Sequence, residues 1–105
     1  MAQFAVYENP NRASRKIYPF LLDIQSDLLI DLRTTVVIPL CPVAAVGGDA
    51  ITKLCPVMAI DGKRYVALSH QLAGVDRKML GKSVADLSRY RPEIITALDF
   101  IVSGI

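Results

Sequence analysis

Few residues of this chain have side chains that could do chemistry. There is one histidine, His70, and there are two cysteines, Cys41 and Cys55; the charged side chains of interest are Arg12, Arg15, Asp23 and Asp27. A hydroxyl or thiol nucleophile needs a base held beside it. Ser69 precedes His70, but neighbouring side chains on a strand point to opposite faces, so the two cannot pair there. His70 therefore reads as a polar residue at a strand end. Neither cysteine belongs to a C-x-x-C pair, each precedes a proline, and a single histidine leaves a zinc site short of ligands. Both cysteines read as small buried apolar residues. Cutting RNA would require a base, an acid and a cation at one phosphodiester. Arg12, Arg15, Asp27 and His70 supply those types, yet nothing in their spacing gathers them. Carboxylate pairs such as Asp23 with Asp27 occur in many sequences and signal little. No catalytic residue, metal site or cofactor is expected, and the residues point to a small interaction domain.

The elements that hold these residues fit one domain of 105 residues, 52% of them hydrophobic. The net charge of +2 is too small to imply nucleic-acid binding by itself. No basic-then-apolar leader or membrane-length apolar run is visible, so a soluble cytoplasmic protein with no membrane partner is expected. Gln3 to Tyr7 alternates as a strand. Glu8 to Lys16 is a solvated loop; its Arg12, Arg15 and Lys16 make a phosphate-binding loop the sharper but less favoured reading. Ile17 to Ile24 is a second strand, placed at an edge or bent by Pro19, which cannot donate to a ladder. Gln25-Ser26-Asp27 stops it by bonding locally to the backbone. Leu28, Leu29 and Ile30 then stand between two aspartates; composition favours tucking under the sheet over an exposed binding patch.

Thr34 to Cys41 reads as a buried strand. Val43 to Asp49, with Gly47-Gly48, reads as an irregular turn. Val57–Ile60 and Lys63–Ser69 flank Asp61-Gly62, a type I′ hairpin signal. Leu72 to Leu80 reads as a strand broken by Gly74, and Ser83 to Asp86, with capping-box spacing, as a turn before the last helix. That helix, Ser88 to Ile105, takes Ser88 as its N-cap and Pro92 in its first turn. Its apolar stripe is Ile94, Ile95, Leu98, Ile101, Val102 and Ile105. The chain would then close on a carboxylate directly after an apolar anchor. Five or so short strands and one helix make a small barrel-like β domain.

Several blocks, in order, resemble the CcdB toxins of ccd toxin–antitoxin systems. They are Gln3-Phe4 with Val6-Tyr7, Asp23-Ile24-Gln25-Ser26-Asp27, Val37-Ile38-Pro39-Leu40, Pro56-Val57 with Ile60, Val84-Ala85-Asp86-Leu87-Ser88, and Gly104-Ile105. The resemblance implies a mainly β fold with a C-terminal α-helix: an SH3-like five-stranded antiparallel barrel, a small side sheet and a closing helix. It implies a homodimer with the two helices near its axis. It further implies a toxin that is no enzyme, that poisons DNA gyrase through the A subunit, and that a CcdA-like antitoxin neutralises. DNA would be met only indirectly, through an autoregulatory repressor complex with the antitoxin.

On this resemblance the gyrase-binding residues are Phe100, Ser103, Gly104 and Ile105, and the antitoxin-binding residues are Asp27, Leu28, Leu29, Asp99, Val102 and Ser103. The family's tail runs Trp-Gly-Ile, and Ser103 stands where the tryptophan belongs. Losing a buried indole of that kind costs about 2 kcal/mol or more of binding. Phe100, one helical turn earlier, is the aromatic that would partly replace it. Leu28-Leu29 keeps the apolar character of the family's pair after Gln-Ser-Asp, which shifts that loop from tucked towards partly exposed. Two other readings stand beside the gyrase poison: a member that binds antitoxin without poisoning gyrase, and an mRNA interferase.

Overall fold

The computed structural model describes residues 3–46 and 54–104, with the backbone alone at Val46. The Gly47-Gly48 turn and Ile105 lie outside the described residues. The chain is mostly β, with a C-terminal helix. Its strands are β1 Ala5–Glu8, β2 Phe20–Asp23, β3 Thr34–Pro42, β4 Val57–Ile60, β5 Lys63–Ala67, β6 Ala73–Asp76 and β7 Ser83–Asp86; a short helix α1 spans Val43–Val46 and the last helix α2 spans Arg91–Ser103. They form one curled antiparallel sheet of seven strands in the order β4-β5-β3-β2-β1-β7, with β6 added on β3.

β3 is the hub. One side pairs β2 along Val37–Leu40, while the other pairs β6 up to Val37 and β5 from Leu40 onward. Pro39 falls in the gap between those last two pairings, so its missing N–H breaks no rung, and its carbonyl still accepts from the Leu68 N–H at 3.1 Å. The expectation for Pro19 is corrected. β2 is an interior strand, and Pro19 delays its start instead of bending it or putting it at an edge. β1 starts at Ala5 instead of Gln3, because Phe4 sits at φ 72, a conformation that bulky residues avoid. Phe4 is held there by its N–H on the Asp23 carbonyl (2.6 Å) and by its carbonyl on the Leu87 N–H (2.8 Å).

The Asp61-Gly62 turn joins β4 to β5 with φ of 50 and 80, the left-handed pair that a type I′ turn requires. Gly74 does not break its strand; it pairs with Val36 inside β6. Ser83–Asp86 is β7, paired with β1, and not a helix-starting turn. The outer strand β4 is tied to the turn that follows β7 by side chains. The Ala59 N–H of β4 donates to the Tyr90 hydroxyl (3.1 Å) and the Ala59 carbonyl accepts from Arg89 (3.0 Å), which covers polar groups of an edge strand.

Ser88 is not the cap of α2. A 3-10 turn, Ser88–Tyr90, intervenes, and the Ser88 N–H and hydroxyl both donate to Asp86, holding that carboxyl below its ordinary range. Within the stripe, Ile94 is fully buried and Ile95 and Leu98 are half-buried, whereas Ile101 is 38% and Val102 88% exposed. Ala97 joins Ile94 in the core, beside Val6, Leu22, Ile38, Leu40, Met58 and Leu87. A period of 3.6 identifies one face but not how far along the helix that face meets the sheet. Ile94→Ala is expected to cost about 2–5 kcal/mol, the usual range for emptying a filled core site. The half-buried Leu98 should cost less. A urea midpoint that Ile94→Ala does not move would contradict this core assignment. Cys41 and Cys55 are buried as thiols in a second apolar cluster with Val66 and Leu68, and burial pushes the Cys41 thiol up.

Candidate functional site

Directly after β2 the chain runs into Gln25-Ser26-Asp27. The Ser26 hydroxyl accepts the Leu28 N–H (3.2 Å) and caps a single 3-10 turn, Asp27–Leu29. That turn lifts its leucines off the protein: Leu28 is 93% and Leu29 46% exposed, and Ile30 and Leu32 follow at 41% and 49%. The tucking that composition favours is thus overturned. The loop is tied down by hydrogen bonds, so its apolar side chains are not needed as anchors. Asp27 starts it by accepting the Gln3 N–H at 2.8 Å, and Gln25 closes over its exit by donating to the Thr34 carbonyl at 3.0 Å.

The strongest tie is one that the sequence reading missed. Arg77 follows β6, and the pairing of Thr34 with Asp76 sets it beside the exit of the loop. Its Nε donates to the Leu32 carbonyl (2.7 Å) and its Nη2 to the Leu29 carbonyl (3.3 Å). Its Nη1 lies 3.8 Å from a carboxylate oxygen of Asp23, whose side chain is 3% exposed. The other Asp23 oxygen accepts from the Thr35 hydroxyl (2.7 Å) and the Gln25 N–H (3.1 Å). A buried polar group needs such partners to offset its lost hydration. Burial first, and then the Asp23 charge, push the neighbouring Tyr7 phenol above its ordinary value. The only sequence signal for this cluster is an aspartate at the end of an apolar strand.

The second group of expected residues is the end of α2. Asp99, Val102, Ser103 and Gly104 are exposed and Phe100 is half-buried. The Ser103 hydroxyl donates back to the Asp99 carbonyl at 2.7 Å, so it is spent within the helix. Gly104 adopts φ 74 and donates its N–H to the Phe100 carbonyl at 2.8 Å, the left-handed cap that turns a chain off a helix. No hydrogen bond among the described residues joins this group to the loop of Leu28 and Leu29.

The residues weighed for cleavage chemistry lie in different surroundings. His70 is exposed with Nδ1 3.7 Å from the Cys55 sulfur, while Ser69 is buried on the other side of the same turn. Arg15 lines an open depression of about 380 Å³ with Glu8, Asn9, Pro10, Pro19, Phe20 and Gly81. A glutamate on the same wall disfavours a phosphate there. Among the described residues no group of three or more metal-ligating side chains occurs, and no helix is long and apolar enough to cross a membrane.

The family model for CcdB protein matches residues 3–104. No curated protein matches the chain. A solved structure described as an endoribonuclease in complex with its cognate antitoxin, from Mycobacterial species, superposes with a TM-score of 0.74. It is 14% identical and the match covers 97% of this chain and 94% of that one, a likeness of fold alone.

Proposed function

We propose that this chain, which belongs to the CcdB family of toxins of toxin–antitoxin systems, poisons DNA gyrase through the end of α2 and is silenced by an antitoxin docking on the Leu28–Leu29 loop. One observation carries the reading: the last turn of α2 leaves the core, with Val102 88% exposed. A monomeric domain that needed this helix only as a lid would bury its apolar stripe to the end. Here the stripe is core at Ile94 and surface at Val102, an apolar end available to a partner. Phe100, Ser103, Gly104 and Ile105 are the residues assigned to gyrase. Asp27, Leu28 and Leu29 are assigned to the antitoxin, together with Asp99, Val102 and Ser103, so that the two partners compete for the helix end. Binding, with no bond made or broken by the toxin, is the whole of its action.

The same exposed stripe supports a homodimer with the two α2 helices near its axis, since Ile101 and Val102 are otherwise left to water. Light scattering at micromolar concentration should give about twice the chain mass of 11.5 kDa. A monomer persisting at high concentration would remove this part of the reading.

Ser103 favours a second reading, in which the chain binds antitoxin but no longer poisons gyrase, because its hydroxyl is spent on Asp99 and offers no stacking face. Incubating the protein with gyrase, DNA and ATP, in parallel with bare RNA, separates the cases. Trapped cleaved DNA supports gyrase poisoning, cut RNA replaces it with ribonuclease action, and neither outcome leaves the antitoxin-binding member.

A further inference from the structure

We propose that Arg77 is the positioning residue of the antitoxin-docking loop, a role that rests on the reading of that loop given above. The loop has an unusual mechanical problem. Leu28, Leu29, Ile30 and Leu32 all face water to 41% or more, so apolar burial does not hold the segment in place. A short exposed turn with only its own internal hydrogen bonds lies at the low end of local stability and opens readily. Asp27 and Gln25 tie the two ends of the loop, and between those ends one side chain holds it. The Arg77 guanidinium reaches the Leu29 and Leu32 carbonyls and the buried Asp23 carboxylate at once, while the Arg77 N–H donates to the Arg33 carbonyl at 3.0 Å.

Arg77 can serve as a fixed post because it is itself fixed. Its side chain is 18% exposed, and its 3-10 turn is capped by the Asp76 carboxylate, which accepts the Lys78 N–H at 2.9 Å. Asp23 is anchored from β3 by the Thr35 hydroxyl. A planar fork with separate donors can span two carbonyls and a carboxylate; a lysine ammonium, a point charge on a flexible stem, can satisfy the carboxylate or one carbonyl but not hold all three apart. Holding the loop in its docking shape before the antitoxin arrives removes an ordering cost from binding.

The test separates loop order from partner binding. In Arg77→Lys, which keeps the charge beside Asp23, the urea midpoint should stay close to wild type. Amide hydrogen exchange at Leu29, Ile30 and Leu32 should accelerate tenfold or more, with β2 and β3 unchanged. The dissociation constant for the antitoxin, taken from the open reading frame adjacent to the toxin's own, should rise about tenfold. Should Arg77→Lys fail to fold, the double change Arg77→Gln with Asp23→Asn, which leaves no unpaired buried charge, is read by the same amides. Unchanged exchange at those amides overturns the proposal whatever the antitoxin does. Faster exchange with unchanged affinity, in a protein where Leu28→Lys does weaken the antitoxin, also overturns it, because loop order then adds nothing to docking. If Leu28→Lys leaves affinity unchanged as well, the docking surface has been misassigned and the positioning role falls with it.

Discussion

Removing Gly104 and Ile105 is expected to abolish gyrase trapping while the antitoxin still binds, less tightly, through Leu28 and Leu29. The expectation follows from what the tail has left to offer. Ser103 supplies no aromatic face, and its hydroxyl is bonded to Asp99 within the helix. Gly104 holds the left-handed cap, a conformation that glycine adopts without steric cost. On the proposed reading Ile105 adds apolar area to what Phe100 and Val102 offer. The converse change tests the same surface. Ser103→Trp adds an indole at an exposed position where it displaces nothing from the core, and it should tighten gyrase binding by about 1–3 kcal/mol if the indole stacks on its partner. A DNA-cleavage titration of wild type, truncation and Ser103→Trp side by side reads both effects. Equal trapping by wild type and truncation would show that the poison lies elsewhere. Trapping by Ser103→Trp alone would show a toxin fold that has lost its target.

Leu28→Lys is expected to weaken the antitoxin more than tenfold, about 1.4 kcal/mol or more, and to leave the fold intact. At 93% exposure Leu28 has no core contact to lose, so a lysine there is solvated in the free protein. In the complex its charge would have to be buried against an apolar face without a partner, which is where the penalty arises. Asp27 adds a carboxylate at the start of the loop that suits a cation of the antitoxin, with one oxygen steadied by the Gln3 N–H. Calorimetry giving the same affinity for Leu28→Lys and wild type would remove this surface from the account.

How much of this was legible beforehand depended on whether the signal was local. Asp61-Gly62 reads directly as a hairpin because two successive left-handed residues suit few other structures. The helix is legible from its period, but the depth of the core beneath it is not, so the periodic stripe runs past Leu98 while the core does not. Ser83–Asp86 has a local pattern that suits a helix start, yet pairing with β1 outweighs it. The leucine loop misled by composition. Apolar residues usually tuck inward, and here hydrogen bonds from Gln3, Gln25 and the distant Arg77 hold the loop while they stay exposed. Arg77 itself carries no signature, since its three partners, Asp23, Leu29 and Leu32, all lie far earlier in the chain. The blocks resembling CcdB pointed towards partial exposure of Leu28-Leu29, which periodicity could not do.

The most direct measurement of the central claim is the yield of gyrase-cleaved DNA as the wild-type protein is titrated in, followed by titration of the antitoxin into the trapped complex. The account predicts that cleaved DNA accumulates with the toxin and falls again as the antitoxin approaches equivalence, with bare RNA left whole throughout. Cleavage that stays at the level of gyrase alone at every toxin concentration would contradict it.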